Sequence, residues 1–482
     1  MSAPLTRPTL SDPDSPAAPP ARGLEVRSID YIPLTERHGK VWHLAPVWVG
    51  GNANVATVAV GFVGIVAGAD LMWTLVAVAA GCAFGTIFSA LHSTQGPSLG
   101  LPQLIQSRPQ FGYFGALLVF AFALINYVGF NVFSAVLAGQ SLEVTTGFPP
   151  QVTFIVVGVI AGVIALVGYD WIHRVARWIT LVFTVVFLVL TVVLLLTQPL
   201  PDGSFGFGPF APTAFLIQFG AAAGYQINWA IYVSDYTRYL PPTVSPRRMF
   251  WCTYLGMTIS AVWLAGLGAV LATMFTGLDA VGAIAAAGDS LVPGLGSAAV
   301  LVALAGLLIA MCMNTYGGSL TLISVADTLH SVRFTTTLRI VAVTIVTVIA
   351  TVLSLAVSQD FLAGFTVFLQ VLLYLFAPWT AVNLTDYFLV RRGHYSIRDI
   401  FTPRGIYGLF SWRGALAYLI GFASEIPFVS TSVYTGPVAD ALGGADISPF
   451  VGIVVGTIAY WAATRGLDAR AELQAVQQDE AA

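Results

Sequence analysis

Long apolar runs dominate the chain and set the strongest limit on its fold. Twelve of them follow one another, at residues 45–69, 71–92, 114–141, 151–169, 177–198, 212–233, 251–276, 296–325, 337–357, 361–389, 414–433 and 447–464. A helix needs roughly 20 apolar residues to cross a hydrocarbon core about 30 Å thick, and these runs lack the alternation of barrel strands. Only 9% of the 482 residues are charged, against about 25% in soluble domains. The sequence predicts an all-α integral membrane protein with twelve transmembrane helices and excludes a soluble enzyme.

Positive charges lie on alternate connections between the runs. With the N-terminus placed inside, all 20 Lys and Arg residues fall on the inner side, and the outer connections carry only acids such as Asp70, Glu143 and Asp202. Short cytoplasmic loops collect Lys and Arg, and one missed span would destroy this separation. We therefore expect an even number of spans, both termini in the cytoplasm, and a multi-pass protein of the plasma membrane.

The termini differ in composition from the rest of the chain. Residues 1–29 are rich in Pro, Ala, Ser and Asp, and no apolar run begins before about residue 41. Such a composition cannot bury a core. The predicted organisation is a disordered cytoplasmic tail at 1–29, a twelve-helix domain at 30–465 and a cytoplasmic tail at 466–482.

Two of the apolar runs contain glycines together with side-chain amides. The first run reads Gly-Gly-Asn-Ala-Asn at 50–54, and the sixth reads Gly-Tyr-Gln-Ile-Asn-Trp at 224–229. Interrupted helices at matching places in two halves are typical of transporter sites, although glycine alone can also serve close helix packing. The pattern predicts a five-plus-five inverted repeat, at about 40–200 and 210–390, followed by two extra helices at about 413–465.

Amides, hydroxyls and aromatic rings, with few carboxylates, are the polar groups expected at midplane depth. Rings stack on a flat face and amides bind donor and acceptor edges, so the predicted partner is a small, planar, neutral heterocycle. The predicted substrate-binding residues are Asn52, Asn54, Phe130, Asn131, Ser134, Gly224, Tyr225, Gln226, Trp229, Asn314, Gly318 and Ser319.

Signatures of enzymatic and nucleotide chemistry are missing from the sequence. It contains neither GxxxxGK[ST] nor HExxH, and the GxSxG letters at 96–100 lie in a connection rather than at a strand-to-helix elbow. We predict no enzyme, no resident cofactor and no nucleic-acid partner. Glu425 is either an intramembrane acid or a group near the outer headgroups, and Asp235 is expected to pair locally with Arg238 or to gate.

Several motifs resemble the purine-cytosine permease family of nucleobase-cation symporters. The matching pieces are Gly-Leu-Pro-Gln-Leu-Ile-Gln-Ser-Arg at 100–108, Gly-Tyr-Asp-Trp-Ile-His-Arg at 168–174, Trp-Ala-Ile-Tyr-Val-Ser-Asp-Tyr-Thr-Arg-Tyr-Leu-Pro at 229–241, Asn-Thr-Tyr-Gly-Gly-Ser-Leu at 314–320 and Ala-Pro-Trp at 377–379. Their order and spacing extend over most of the chain.

The resemblance implies a LeuT-like fold with alternating access, and symport of cytosine or a purine with Na⁺ or H⁺. Carried over by position, Gly50, Ala53, Asn314 and Thr315 would form a possible Na⁺ site. This chain has Phe130 where several relatives have Trp, and Ser134 where some have Gln. These differences favour a nucleobase over a hydantoin. A transporter of allantoin, hydantoin or uracil, and a passive solute channel, stay open as alternatives.

Overall fold

The computed structural model of the protein describes residues 30–481 except 168, 331, 333–334 and 357–360. The predicted tail at 1–29 therefore lies outside the described residues. The helices are α1 (Ala45–Asn52), α2 (Val55–Val60), α3 (Phe62–Val66), α4 (Leu71–Ser93), α5 (Gln95–Leu99), α6 (Arg108–Phe111), α7 (Leu117–Thr146), α8 (Pro150–Val167), α9 (Tyr169–Thr197), α10 (Pro212–Ile227), α11 (Val233–Thr237), α12 (Pro246–Met274), α13 (Ala280–Leu291), α14 (Leu295–Leu329), α15 (Thr336–Ala356), α16 (Phe361–Thr385), α17 (Ile397–Ile400), α18 (Trp412–Glu425), α19 (Pro437–Ala441), α20 (Ser448–Ala463) and α21 (Ala469–Ala481). The prediction of an all-α membrane protein is confirmed.

The predicted count of twelve spans is not confirmed by the lengths of the helices. Within the described residues, eight helices are long and apolar enough to cross a membrane, and a bent pair, Val41–Asn52 with Val55–Val66, makes a ninth candidate. The predicted spans at 212–233, 414–433 and 447–464 contain α10, α18 and α20, of 16, 14 and 16 residues. These three helices are shorter than the roughly 20 residues that a crossing needs, so the count of twelve stays a prediction.

Turn and cap residues set the borders of the helices. Gly68 has a φ of 92°, and the Asp70 side chain accepts a hydrogen bond from the Trp73 N–H at 2.9 Å, so α4 begins at the turn that the sequence predicts. At the other end of the chain, α18 ends at Glu425 and Pro427 lies in the single turn of 3₁₀-helix that follows. Proline disfavours continuation of an α-helix because it lacks a backbone N–H.

Small residues bring the first interrupted helix against α12. A Cβ on Gly61 would lie 1.9 Å from the Ala265 carbonyl oxygen, and one on Gly268 would lie 1.9 Å from the Val58 carbonyl oxygen. Any larger side chain would push the two backbones apart. Close backbone contact of this kind is how helices associate in membranes, where apolar side chains gain little by leaving lipid.

The outer surface of the bundle is apolar. On α8, α9 and α15 the exposed side chains include Val159, Val163, Leu188, Leu195 and Val352, each at least 48% exposed. Contiguous exposed apolar surface of this extent is unsuited to water and suits the hydrocarbon of a bilayer. Polar side chains are found instead inside the bundle, and one group of them lies where the interrupted helices meet α7 and α14.

Candidate substrate site

A cavity of about 110 Å³ lies between the two interrupted helices, α7 and α14. Two further cavities in the described part of the chain measure about 10 Å³ each, which is room for about one water molecule. Seven of the residues predicted from sequence line the cavity of 110 Å³: Gly50, Asn54, Phe130, Ser134, Tyr225, Trp229 and Asn314.

The first interruption falls at the predicted place. Helix α1 ends at Asn52, and α2 begins at Val55 after a bend of 64°. The Asn54 side chain caps α2, because its Oδ1 accepts the N–H groups of Ala56 and Thr57 at 2.9 and 3.3 Å. Its Nδ2 donates to the Gly51 carbonyl oxygen at 3.0 Å. One asparagine thus joins the end of α1 to the start of α2 and also forms part of the cavity wall.

The second interruption follows α10. The helix changes to a 3₁₀-helix at Asn228–Ile231, and Tyr232, with φ −143° and ψ 3°, separates this turn from α11. Side chains join the two interruptions directly. The Tyr225 hydroxyl lies 2.7 Å from the Thr57 Oγ1, and Gln226 Nε2 donates to Asn52 Oδ1 at 3.2 Å. The two interrupted segments therefore meet, as the predicted site requires.

Aromatic rings form two walls of the cavity. The Trp229 ring packs over Gly51, where a Cβ would lie 1.8 Å from the indole Cη2, so only glycine leaves room for it. Its neighbour Trp48 meets it edge to face at 6.1 Å between ring centroids. Phe130 meets Tyr225 and Phe368 edge to face at 5.9 and 5.2 Å. Aromatic neighbours in this geometry hold each other in place, so Phe130 and Trp229 are pre-positioned.

Two polar side chains in the cavity are free to bind a ligand. Asn314 on α14 is half-buried, and its amide makes no hydrogen bond with any described residue. The Ser134 hydroxyl on α7 likewise lacks a hydrogen-bond partner among the residues that the structure covers. An amide offers donors and an acceptor, and a hydroxyl offers both. Together they can bind the polar edge of a heterocycle.

The other predicted substrate residues lie behind the cavity walls. Asn52 donates to the Met257 carbonyl oxygen at 3.0 Å and accepts from Gln226. Asn131 donates to Thr315 Oγ1 at 2.8 Å, and Ser319 donates to the Tyr316 carbonyl oxygen at 2.7 Å. These side chains hold helices together in this structure, and their direct contact with a substrate stays a prediction.

The two remaining predicted glycines are sites of close packing. A Cβ on Gly224 would lie 2.3 Å from the Leu369 carbonyl oxygen of α16, and one on Gly318 would lie 3.2 Å from Val346 of α15. Neither glycine lines the cavity. Gly224 lets α10 and α16 approach at the level of the interruption, so it shapes the cavity from behind.

The four residues of the possible Na⁺ site do not surround one point. The Ala53 carbonyl oxygen faces Gly306 of α14, at 2.2 Å from the position of a Cβ there, and the Gly50 carbonyl accepts the Ala53 N–H at 3.1 Å. Gly306 precedes Thr315 by nine residues, about 13.5 Å along a helix, and Thr315 lines a different small cavity.

The stretch of α14 that faces these carbonyls offers no further ligand. Residues 303–310 read Ala-Leu-Ala-Gly-Leu-Leu-Ile-Ala and carry no side-chain oxygen, whereas a hard cation requires a shell of oxygen ligands. Within the described residues there is also no cluster of three or more His, Cys, Asp or Glu side chains that could hold a metal ion. The possible Na⁺ site at Gly50, Ala53, Asn314 and Thr315 therefore stays a prediction.

Sequence analysis singled out Asp235 and Arg238 as a pair or gate but did not predict that a group of residues around them lines one end of the cavity. The residues that line this end include Tyr127, Tyr232, Asp235, Tyr236, Arg238 and Tyr239. A signal was present, since the tyrosines at 225, 232, 236 and 239 follow the spacing of one helix face. The Asp235 carboxylate accepts the Gln103 backbone N–H at 2.8 Å. This end of the cavity lies at the inner ends of the spans as the charge pattern orients them.

Glu425 lies away from the cavity. Its side chain is 1% exposed, and neither carboxylate oxygen has a hydrogen-bond partner in the part of the chain that is described. It faces α20, where a Cβ on Gly452 would lie 1.9 Å from Oε1. Of the two predicted alternatives, the structure favours a buried acid over a group in contact with headgroups.

Comparison with known proteins gives a consistent result. Residues 31–452 match the family described as permease for cytosine/purines, uracil, thiamine, allantoin. YxlA of Bacillus subtilis, whose name as a purine-cytosine permease is provisional, is 34% identical over 441 residues, covering 91% of this chain and 95% of YxlA. The purine-cytosine permease fcyB of Emericella nidulans is 23% identical over 465 residues, covering 91% and 87% of the two chains.

Solved structures support the same fold. Mhp1, a nucleobase-cation-symport-1 family transporter, matches in a closed conformation with bromovinylhydantoin bound, at a TM-score of 0.75 and 20% identity, covering 95% of this chain and 99% of Mhp1. Its inward-facing conformation matches at a TM-score of 0.71. The predicted LeuT-like fold is therefore confirmed, and the family match makes the chain a membrane transporter rather than an enzyme. This protein belongs to the family of permeases for cytosine and purines, uracil, thiamine and allantoin.

Proposed function

We propose that the protein is a secondary transporter that imports a nucleobase, cytosine or a purine, across the plasma membrane by symport with Na⁺ or H⁺. The observation that carries this proposal is the cavity between two interrupted helices, with aromatic walls and two free polar side chains. No carboxylate lies beside Ser134 and Asn314 in the lining, and the acid in the lining, Asp235, lies at the inner end with Arg238. Such a site suits a flat neutral ring.

The energetics require both kinds of contact. Stacking of a base on an aromatic ring contributes about 1–3 kcal/mol, whereas micromolar affinity requires about 8 kcal/mol. Stacking on Trp229 or Phe130 alone falls short. Hydrogen bonds from Asn314 and Ser134 to the edge of the base supply part of the difference, since buried polar groups of the site are left unpaired when the ligand lacks that edge.

The two ends of the cavity differ, and this difference supports alternating access. Aromatic rings pack on the outer side, where Phe133 lies 5.8 Å from Phe361 and 5.3 Å from Phe365 between ring centroids. On the inner side the lining residues Leu320 and Tyr239 are partly exposed, whereas Phe361 and Phe365 on the outer side are buried. We assign this arrangement to an inward-facing state with an aromatic outer gate, and both termini to the cytoplasm.

Uptake into liposomes tests the proposal. Purified protein should accumulate labelled cytosine, adenine or hypoxanthine against its gradient when an inward Na⁺ or H⁺ gradient is imposed. Empty liposomes give the background, and each cation gradient is applied alone. Saturable accumulation of a hydantoin or allantoin instead would show that the substrate is one of those heterocycles. Absence of uptake of every base, hydantoin and allantoin under both gradients would refute the proposed substrate class.

A passive channel is the alternative that the same experiment separates. A channel equilibrates its solute, does not saturate at micromolar concentrations, and does not respond to a cation gradient. Trans-stimulation is a second discriminator, because unlabelled base on one side accelerates exit of labelled base only through a carrier with one alternating site.

A further inference from the structure

A buried network of side-chain amides begins at the inner end of the cavity. Gln103, whose backbone N–H binds Asp235, donates from Nε2 to Gln95 Oε1 at 3.1 Å and lies 3.0 Å from His92 Nδ1. Gln95 Nε2 then donates to Asn383 Oδ1 at 2.8 Å. Gln95, Gln103 and Asn383 are at most 1% exposed. The network thus joins the loop before α6 to α5 and α16.

The network ends on a carboxylate at the inner end of α16. Asn383 Nδ2 donates to Gln110 Oε1 at 3.4 Å, and Gln110 Nε2 donates to Asp386 Oδ2 at 2.6 Å. We call Gln103, Gln95, Asn383 and Gln110 the amide network. A carboxylate only accepts hydrogen bonds, so Asp386 fixes the orientation of Gln110 and, through it, of every amide before it. All four amides donate in the same direction, an arrangement in which hydrogen bonds strengthen one another.

The C-terminal helix holds the far end of the network. Asp386 accepts from Tyr395 and Tyr460 at 2.9 Å each and pairs with Arg391 at 2.6 Å. Burial, and the charge of Asp386, raise the pKa of Tyr395, which keeps its phenol protonated as a donor. Arg391 in turn binds both carboxylate oxygens of Glu472 on α21, at 2.7 and 2.9 Å. The path therefore runs unbroken from the cavity lining to α21.

We propose that the amide network is a positioning device for transport: it holds the Asp235 end of α11 in the arrangement in which the cavity is open at its inner end. The inference rests on the proposed transport function, because holding one conformation matters only if the protein also adopts a second one during transport. Its residues do not touch substrate. Asp235 and α11 belong to the interrupted segment, whereas Asn383 belongs to α16, so movement of one against the other has to break at least one hydrogen bond on the path from Asp235 through Gln103 and Gln95 to Asn383.

Packing alone does not explain why these four buried residues are amides. Four fully buried amides cost free energy unless each finds its partners, and apolar side chains would fill the same space without that cost. Gln103 Oε1 has no partner in the described part of the chain, so Gln103 has a spare acceptor with which to form a different bond when α11 moves. A network that only stabilised the bundle would not need a second hydrogen-bonding arrangement.

Accessibility of a cavity cysteine tests the proposal without requiring uptake. In a background lacking Cys82, Cys252 and Cys312, Leu320→Cys places a thiol in the inner part of the cavity, and its labelling by a charged maleimide reports the inward-open population. Gln95→Leu removes two hydrogen bonds of the network. Each is worth about fivefold in an equilibrium, or about 25-fold together, so labelling should slow at least about threefold even from a state that is about 90% open.

The matched control is Gln370→Leu on α16, a buried glutamine outside the network. Its labelling rate should equal that of the parent, and a cooperative thermal transition in both variants shows that each is folded. An unchanged labelling rate in folded Gln95→Leu, or an equal fall in Gln370→Leu, would overturn the proposal. Should Gln95→Leu not fold, Gln95→Asn, which is one methylene too short to keep both bonds, is compared with Gln370→Asn by the same criterion.

The outcomes separate this proposal from the proposed function. If the parent takes up no base but Gln95→Leu changes the labelling, the substrate assignment fails and the positioning role stands. If the parent accumulates base and labelling is insensitive to the network, the transport function stands and the positioning role is refuted.

Discussion

The contact between Gly51 and Trp229 gives the most direct test of the stacking wall. A methyl group on Gly51 would lie 1.8 and 2.0 Å from two indole carbons, whereas carbon atoms in contact lie about 3.5 Å apart. Gly51→Ala therefore drives the ring away from its position by roughly 1.5 Å. If Trp229 stacks on the base, the displacement removes about 1–3 kcal/mol, and the Kd for the base rises about 5- to 150-fold.

Equilibrium binding of labelled base to purified protein measures this change. The control is Gly220→Ala, on α10, where an added Cβ meets no atom within 4 Å, so its Kd should match that of the parent. The double variant with Trp229→Ala is decisive, because the clash disappears when the indole is removed. Gly51→Ala should then have no further effect, a non-additivity expected of residues in contact. Parent-like binding by Gly51→Ala, or additive losses in the double variant, would refute the stacking role of Trp229.

Other side chains give further predictions. Phe130→Ala should raise the Kd for the base about tenfold or more by removing the second aromatic wall, and unchanged affinity would exclude this ring from the site. Asn314→Ala should weaken binding about fivefold through a lost edge hydrogen bond, with Ser319→Ala, whose hydroxyl bonds to backbone, as a neutral control in the same binding assay. Glu425→Gln should leave the thermal midpoint equal or higher, because an unpartnered buried carboxylate is costly; a clear fall would contradict this. Glu472→Ala should speed hydrogen exchange of the amides of α21 by freeing it from Arg391, and unchanged protection would show that other contacts hold this helix.

The sequence predicts the interruptions well because their cause is local. Two glycines and two asparagines within 50–54 weaken a helix wherever it lies, and the position of Asn54 as the cap of α2 follows from the preference of asparagine for that place. The charge pattern is local in the same way, since it depends only on the residues of each connection, and the orientation derived from it stays a prediction. The predicted count of twelve complete crossings is not confirmed, because Pro427 and the turn at Asn228 shorten the helices inside predicted spans.

Which residues line the cavity could be predicted only in part from the sequence. Asn52 and Asn54 are two residues apart and chemically identical, yet Asn54 lines the cavity and Asn52 binds α12. Helices that are apolar on all sides carry no periodic signal of which face is the inner one. An amide that binds a ligand therefore cannot be distinguished from one that joins two helices until the packing is known, as Gln226 also illustrates.

The double use of Asn54 limits how such a permease can acquire a new substrate. Any replacement at this position alters the wall of the pocket and also removes a helix cap, at a cost of about 0.5–2 kcal/mol. The side chains of Ser134 and Asn314 cap no helix and make no hydrogen bond with a described residue. Selection for a changed ligand preference, in the laboratory or in nature, should therefore collect its substitutions at positions 134 and 314 and leave Asn54 in place.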